Sequence, residues 1–403
     1  MRNLLLALSL AVPTLASGQA PGAERRTPRP AVIVLAFDGF ARRYLDEDSA
    51  PTFHAVAREG VTGALIPSFP TVTFPNFYTL ATGLTPDHSG MVNNSFYDPA
   101  FDTTFVYTQP IARQGRWWSG EPIWNTAGRQ GLRSATMFWV GSDAPIGGRH
   151  PTYWSSFDVR VRFEARMLTV LGWLALPDSL RPALMMAYLE EPDHTGHGNG
   201  PDAPQTKAMV LRVDSMLAIV VNGLKARGMW DSVNLVIVAD HGMTATTADR
   251  VVYLDDAGID SARVRVVNTG PFLMIESRDG QDAALLAKLR TLPHLTAWAK
   301  DSVPARLAYG HNARVTRIVG VMDDGWVIAW KHGRPLRLGG NHGYDNADPM
   351  MRAVFVAHGP AFKAGSTLGD IPNVDVYPLL ARLLGVLPAP NDGSVGPFEP
   401  VLR

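Results

Sequence analysis

The chain has 403 residues, 46% of them apolar, with 37 basic and 37 acidic side chains and no cysteine. That length and apolar content support a sizeable buried core and exclude disorder as the default. Cancelling charge without a long single-sign run excludes a non-specific binder of nucleic-acid polymers and a polybasic membrane binder, and the lack of thiols excludes disulfide staples and thiolate metal sites.

In chain order, residues 1–20 read M-R-N-L-L-L-A-L-S-L-A-V-P-T-L-A-S-G-Q-A. One basic residue, an apolar run of about 13 residues and small residues leading to Ala20 form the pattern of a secretory signal peptide, too short to span a bilayer comfortably. A periplasmic or secreted enzyme of a bacterium, cleaved near Ala20 and without a stable membrane anchor, is expected. Residues 21–30, rich in Pro, Arg and Ala, read as an exposed tether. The fold is expected to occupy residues 31–403.

Short apolar runs without polar alternation occur at 31–37, 183–189, 233–239 and 352–357, as in strands buried on both faces of a largely parallel sheet. Another strand-like run covers 61–66. Between them, Val210, Val213, Leu217, Val220 and Leu224 repeat at helical spacing and predict one apolar stripe packed on the sheet. A second helix is predicted near 374–384. The stretch from about 245 to 338 differs, with short strand-like runs such as 271–276 and 325–330 and a helical piece near 283–289, and reads as an inserted α+β subdomain.

Strands alternating with helices predict an α/β sandwich, in which loops at the carboxyl ends of neighbouring strands converge on one rim. Chemistry-bearing residues cluster near those runs: Asp38 directly after the first, Thr73 between the run 61–66 and a probable short helix, Asp193 and His197 in E-E-P-D-H-T-G-H-G, Asp240 and His241 in A-D-H-G-M, and His342 in G-G-N-H-G-Y-D-N, where the chain returns to the rim after the inserted stretch. Carboxylates and imidazoles without sulfur suit catalytic zinc, and one zinc takes about three protein ligands while keeping a position open. Six such ligands and one hydroxyl therefore predict two ions. Asp193 and His197 are expected to reach one ion from a loop bent by Pro192 and Gly196.

Each piece has an ordinary alternative. A strand-end Asp caps helices, Asp-His-Gly forms turns, and a threonine ahead of a short helix is commonly its N-cap. The lone His194 and His332 are assigned no role. Together, the seven residues at strand ends make the metal site the better reading. Thr73 then lies beside the N–H groups of a helix start, where a metal ion makes its hydroxyl proton easier to lose. Phe74, at the mouth, is either ordinary core or a surface for an aromatic part of a substrate.

These motifs, A-F-D-G-F, T-F-P-N-F-Y-T-L-A-T-G-L, G-M-V-N-N-S-F-Y-D-P, R-W-W-S-G-E-P-I-W-N-T-A, M-F-W-V-G-S-D, E-E-P-D-H-T-G-H-G, A-D-H-G-M and N-H-G-Y-D-N, resemble in order the nucleotide pyrophosphatase/phosphodiesterase family of the alkaline phosphatase superfamily. The resemblance covers nearly the whole chain after the leader. It implies an alkaline-phosphatase-like three-layer α/β/α sandwich, with Asp193, His197 and His342 on one zinc and Asp38, Asp240 and His241 on the other. Thr73 would be the nucleophile, contacting the second ion and forming a phosphothreonine. Asn94 matches a donor to a phosphoryl oxygen. Phe74 and Tyr153 match aromatic positions that sandwich a nucleobase, with Trp154 and Phe157 as alternatives to Tyr153. Phe77 departs from a histidine common in bacterial relatives.

Two zinc ions are offset by Asp38, Asp193, Asp240 and a Thr73 alkoxide, and no Arg or Lys neighbours Thr73, so a diester monoanion suits the site better than a monoester dianion. The expected ligand is a small phosphodiester, with a nucleotide preferred. The same chemistry on choline or glycerol diesters or lysophospholipids is the alternative. A sulfatase would need Pro and Arg after its nucleophile, and Ser68-Phe69-Pro70-Thr71-Val72 lacks that arginine. A zinc-retaining binding module without turnover is the non-enzymatic rival.

Overall fold

The computed structural model describes residues 30–46, 50–332 and 338–403. The predicted leader and nearly all of the tether lie outside them.

The centre is an eight-stranded sheet ordered Ser366–Pro372, Val61–Ile66, Ala353–His358, Asn234–Val238, Val32–Phe37, Leu184–Leu189, Ser134–Met137, Tyr153–Ser155. The four strands predicted from unbroken apolar runs occupy its middle, and every residue in them is buried. Helices cover both faces, so neither face of a central strand meets water, which is why these strands show no polar alternation.

One strand departs from expectation. Ala353–His358 runs antiparallel to both its neighbours, while all other pairings in the sheet are parallel. The reversal has a positional consequence. A residue that precedes an antiparallel strand lies at the same edge as residues that follow parallel ones, so His342 reaches the rim that carries Asp38 and Asp240.

On one face the helices Pro51–Glu59, Phe163–Leu174 and Pro204–Ala226 pack together, and on the other Thr73–Thr82, Ile123–Arg129 and Val376–Leu384 do so. The predicted stripe on Pro204–Ala226 is realised, with Val210, Val213, Leu217, Val220 and Leu224 all fully buried. Each such side chain stabilises the fold by about 1.5–3 kcal/mol. Between Thr244 and Asn341 the chain forms a separate antiparallel sheet, ordered Val264–Asn268, Phe272–Ser277, Ile318–Met322, Leu295–Ala299, with the helix Asp282–Leu289 and its own apolar cluster around Leu273, Ile275 and Leu289. Among the described residues no helix is long and apolar enough to cross a membrane.

Candidate active site

Two triads form at the rim. Asp38, Asp240 and His241 make one, Asp193, His197 and His342 the other, and within each the ligand atoms all lie within 4.8 Å of one another. Among the described residues these are the two groups of three or more such side chains close enough to share an ion.

The first triad is built on paired strand ends. Asp38 follows Val32–Phe37 and Asp240 and His241 follow Asn234–Val238, which pairs with it in parallel. All three are almost completely buried. His241 Nε2 lies 3.0 Å from Asp240 Oδ2 and 3.6 Å from Asp38 Oδ1. The second oxygen of each carboxylate is taken: Gly39 N–H donates to Asp240 Oδ1 at 3.1 Å, and the Tyr188 hydroxyl donates to Asp38 Oδ2 at 2.6 Å.

The second triad is built differently from the bent loop expected. Asp193 and His197 lie on a short helix, Asp193–Asn199, where a spacing of four places both on one face. Gly196 serves close approach rather than a bend, because a Cβ there would meet Met243 Sδ at 2.5 Å. His197 Nε2 lies 3.4 Å from Asp193 Oδ2 and 3.1 Å from His342 Nε2. The Asp193 N–H donates to the Asp38 carbonyl at 3.0 Å and the His342 ring stacks on His241 at 3.6 Å, which joins the triads.

Each histidine ring donates Nδ1–H to a backbone carbonyl: His197 to Gly340, His241 to Gly242 and His342 to Thr71, all at 2.9 Å. A carbonyl only accepts, so the tautomer is fixed and every Nε2 presents a lone pair inward. Three carboxylate oxygens, Asp38 Oδ1, Asp193 Oδ1 and Asp240 Oδ2, are buried without a hydrogen-bond donor. Inward lone pairs and bare carboxylate oxygens at this spacing repel one another unless a cation sits among them, so these residues fit divalent cations. Titration agrees. Burial, then Asp240 and Asp193, push the Asp38 carboxyl well above its usual range, and burial with His241 and His197 pulls the His342 imidazole well below its own. For His241, burial acts downward most strongly, but the Asp240 charge and hydrogen bond together with the Asp193 charge outweigh it and raise the imidazole above its ordinary value.

Thr73 stands where the triads meet, its Oγ1 3.3 Å from His241 Nε2. It is the first residue of Thr73–Thr82 and Val72 is the N-cap, so the capping alternative for Thr73 is not realised. The amides around it are fewer than expected. Pro75 has no N–H, and the Phe74 N–H is taken by Asn94 Oδ1 at 2.8 Å. That bond orients the Asn94 amide, because a backbone N–H needs the oxygen opposite it, and the Asn94 NH₂ is left as a donor lining the cleft.

The cleft measures about 540 Å³ and runs from the triads between aromatic walls that include Phe74, Tyr107, Phe157 and Tyr188. Phe74 packs edge-on to Tyr107 at 5.1 Å. Tyr153 does not line it. That residue opens a parallel strand, at the amino edge away from the rim, and its hydroxyl donates to Leu180 at 3.0 Å, whereas Phe157 lies on the rim side. Phe77 is fully buried against Tyr188 at 5.1 Å. The sequence left Tyr188 and Tyr107 unassigned. Tyr188 is the penultimate residue of an apolar strand and was counted as core; its nearness to the strand end was the available signal.

These observations define a rim fitted to divalent cations on an alkaline-phosphatase-like α/β fold. The profile of the family described as type I phosphodiesterase/nucleotide pyrophosphatase matches residues 32–345, and the chain belongs to that family. It is 34% identical over 397 residues to a venom phosphodiesterase of Crotalus durissus collilineatus and 35% identical over 401 residues to ectonucleotide pyrophosphatase/phosphodiesterase family member 3 of Rattus norvegicus. Each alignment covers 96% of this chain, which spans 47% and 46% of those relatives, about half their length. Among solved structures, an inactive threonine-to-alanine variant of murine ectonucleotide pyrophosphatase/phosphodiesterase 5 in complex with AMP superposes with a TM-score of 0.89 at 35% identity, covering 93% of this chain and 100% of that one.

Proposed function

We propose that this chain is a periplasmic or secreted two-zinc phosphodiesterase that cleaves nucleotide phosphodiester and pyrophosphate bonds through a phosphothreonine at Thr73. Residues 31–403 would form the catalytic domain, with 245–338 as its inserted subdomain. The carrying observation is the Thr73 hydroxyl 3.3 Å from His241 Nε2, at the seam of the two triads.

Asp193, His197 and His342 would hold one ion, and Asp38, Asp240 and His241, with Thr73, the other. When bound, the ions supply Lewis-acid charge at phosphorus and ease proton loss from hydroxyl groups. Thr73 Oγ forms a bond to phosphorus as the ester or pyrophosphate oxygen leaves with its electron pair. Water then cleaves the phosphothreonine, so one water is consumed per bond broken. Asn94 donates to a non-bridging oxygen, while Phe74 and Tyr107 offer ring faces to a base. Tyr188 holds Asp38 in place, and burial with the adjacent Asp38 charge keeps its hydroxyl protonated.

Diester preference has support in the cleft wall. Its lining arginine, Arg113, has its Nε paired with Asp143 Oδ2 at 3.2 Å, a carboxylate that competes with a terminal phosphate dianion for the guanidinium. A choline diester is the second reading: Glu190 lies in the cleft beside Tyr188 and Phe157, a combination that attracts a quaternary ammonium. The buried Arg166 already pairs with Glu190, which weakens that attraction.

Thr73→Ala tests the nucleophile. Cleavage of an aryl nucleotide diester should fall at least about 10⁴-fold with zinc content unchanged. A variant that keeps parental turnover refutes the phosphothreonine. A panel of ATP, dinucleotides, glycerophosphocholine and lysophosphatidylcholine, with and without chelator, separates the two readings.

A further inference from the structure

We propose that Thr71 is a positioning residue that fixes His342, and with it the Asp193–His197–His342 triad, relative to the nucleophile two residues downstream. The inference rests on reading that triad as a metal site. Thr71 is fully buried and makes three hydrogen bonds to three consecutive residues of a loop 271 to 273 positions further along the chain. Its carbonyl accepts from His342 Nδ1 at 2.9 Å, its Oγ1 accepts from the Gly343 N–H at 2.9 Å, and the same hydroxyl donates to the Tyr344 carbonyl at 3.0 Å. One hydroxyl thus works as donor and acceptor at once, which among side chains of this size only threonine and serine can do.

The other end of the linkage is equally fixed. Asn76, on the first turn of the Thr73 helix, is fully buried and donates to the Pro70 and Val72 carbonyls, both at 2.9 Å. Its Oδ1 accepts from Ser68 N and Asn373 Nδ2, both at 2.8 Å. Residues 68–72 are therefore bound to the helix that presents Thr73, and Thr71 passes that position on to the His342 loop. The loop needs such a hold. Gly343 sits at φ +115°, a conformation that leaves the adjacent backbone few intrinsic constraints, and His342 otherwise rests on the His241 ring. If residues 343 and 344 lose their anchor, only the Thr71 carbonyl and the His241 stack hold the imidazole, the backbone that carries it shifts, and its Nε2 drifts from the line to Asp193 and His197.

A hydroxyl that merely satisfies a buried loop would affect stability without distinguishing the two ions, so the experiment reads the ions separately. Zinc stoichiometry and affinity are measured by chelator competition on the parent, Thr71→Val and Thr71→Ser, with His197→Ala, which removes one ion and leaves the other, marking which ion is which. We expect Thr71→Val to weaken the ion lost in His197→Ala by about 10–100-fold, the range found for groups that orient metal ligands. The ion retained in His197→Ala should keep parental affinity, and Thr71→Ser should restore the other. If Thr71→Val does not fold, Thr71→Ala removes the same hydroxyl bonds without added bulk and carries the same expectation. Parental affinity for both ions in a folded hydroxyl-less variant, or equal weakening of both, overturns the proposal. A parent that binds no zinc refutes the metal reading itself, which is a different result.

Discussion

The two triads contain the same chemistry, carboxylates and imidazoles, but they are mounted in different ways. Asp38, Asp240 and His241 are held by ends of adjacent central strands, by bonds from Gly39 and Tyr188, and by the bond that His241 donates to the Gly242 carbonyl. Their side chains are 4%, 0% and 0% exposed, against 13%, 16% and 8% for Asp193, His197 and His342. The more open triad also leans on the buried one, through the His342 ring on His241 and the Asp193 N–H on the Asp38 carbonyl. Dependence should therefore run in one direction. Loss of an ion from the buried triad should disturb both sites, and loss of one from the open triad should leave the buried triad in place.

The largest effect expected from this asymmetry is in ligand removal. Asp240→Asn should lower diester cleavage by about 10⁴-fold, comparable to losing a member of a catalytic unit, and reduce affinity for both ions. His197→Ala should leave one zinc per chain at parental affinity. Zinc content after dialysis checks this, and a His197→Ala protein that loses both ions reverses the proposed order of support.

Tyr188→Phe comes next. It removes the hydroxyl that engages Asp38 Oδ2 but keeps the ring that packs on Phe77. Affinity for the buried ion should fall by about 10–100-fold while folding stability stays near the parent value. Parental affinity for the buried ion would place Tyr188 outside the mount of that triad. A smaller change is expected at the aromatic wall, where Phe74→Ala should raise KM for a nucleotide diester by about 2–10-fold, the worth of one ring stack, with kcat little changed. Tyr153→Ala should not move KM, since that ring lies at the opposite edge of the sheet.

Much of this site was legible in the sequence because each ligand of the buried triad follows an apolar run, and a strand end is where a polar residue can turn to a rim. Asp38 and Asp240 needed nothing beyond that pattern. His342 was harder, since its place on the same rim depends on the reversed direction of Ala353–His358, and strand direction leaves no mark in an apolar run buried on both faces. The E-E-P-D-H-T-G-H-G segment reads as a bent loop because Pro192 and Gly196 interrupt it, while packing of Gly196 on Met243 supports a helix there instead. Tyr153 followed motif order, and its position at the amino end of an edge strand became visible only with the sheet register. Thr71 and Asn76 work through backbone groups far away in sequence, which no local pattern encodes.

The smallest expected effect tests whether the loop that carries His342 is softer than the strand ends for reasons outside its ligands. Asp348, further along that segment, is half-buried and its carboxyl is raised to about 6, by burial and then by the neighbouring Asp324 charge. Its oxygen also caps the turn at Met350, accepting the N–H at 2.8 Å. An unfolded chain ionises this group near the ordinary aspartate value of about 3.9, so between roughly pH 4 and pH 6 the folded state binds more protons and stability falls as pH rises. The favourable contribution is complete below the lower value and gone above the upper one. Because the group is about half exposed, solvent screening reduces the cost to about 1 kcal/mol. Asp348→Asn keeps the capping oxygen and removes the charge. Thermal unfolding across this window should show a flatter slope for Asp348→Asn than for the parent and a slightly higher midpoint at pH 7. An unchanged slope would mean that the His342 loop is braced against the Asp324 charge as firmly as the strand ends are fixed in the sheet.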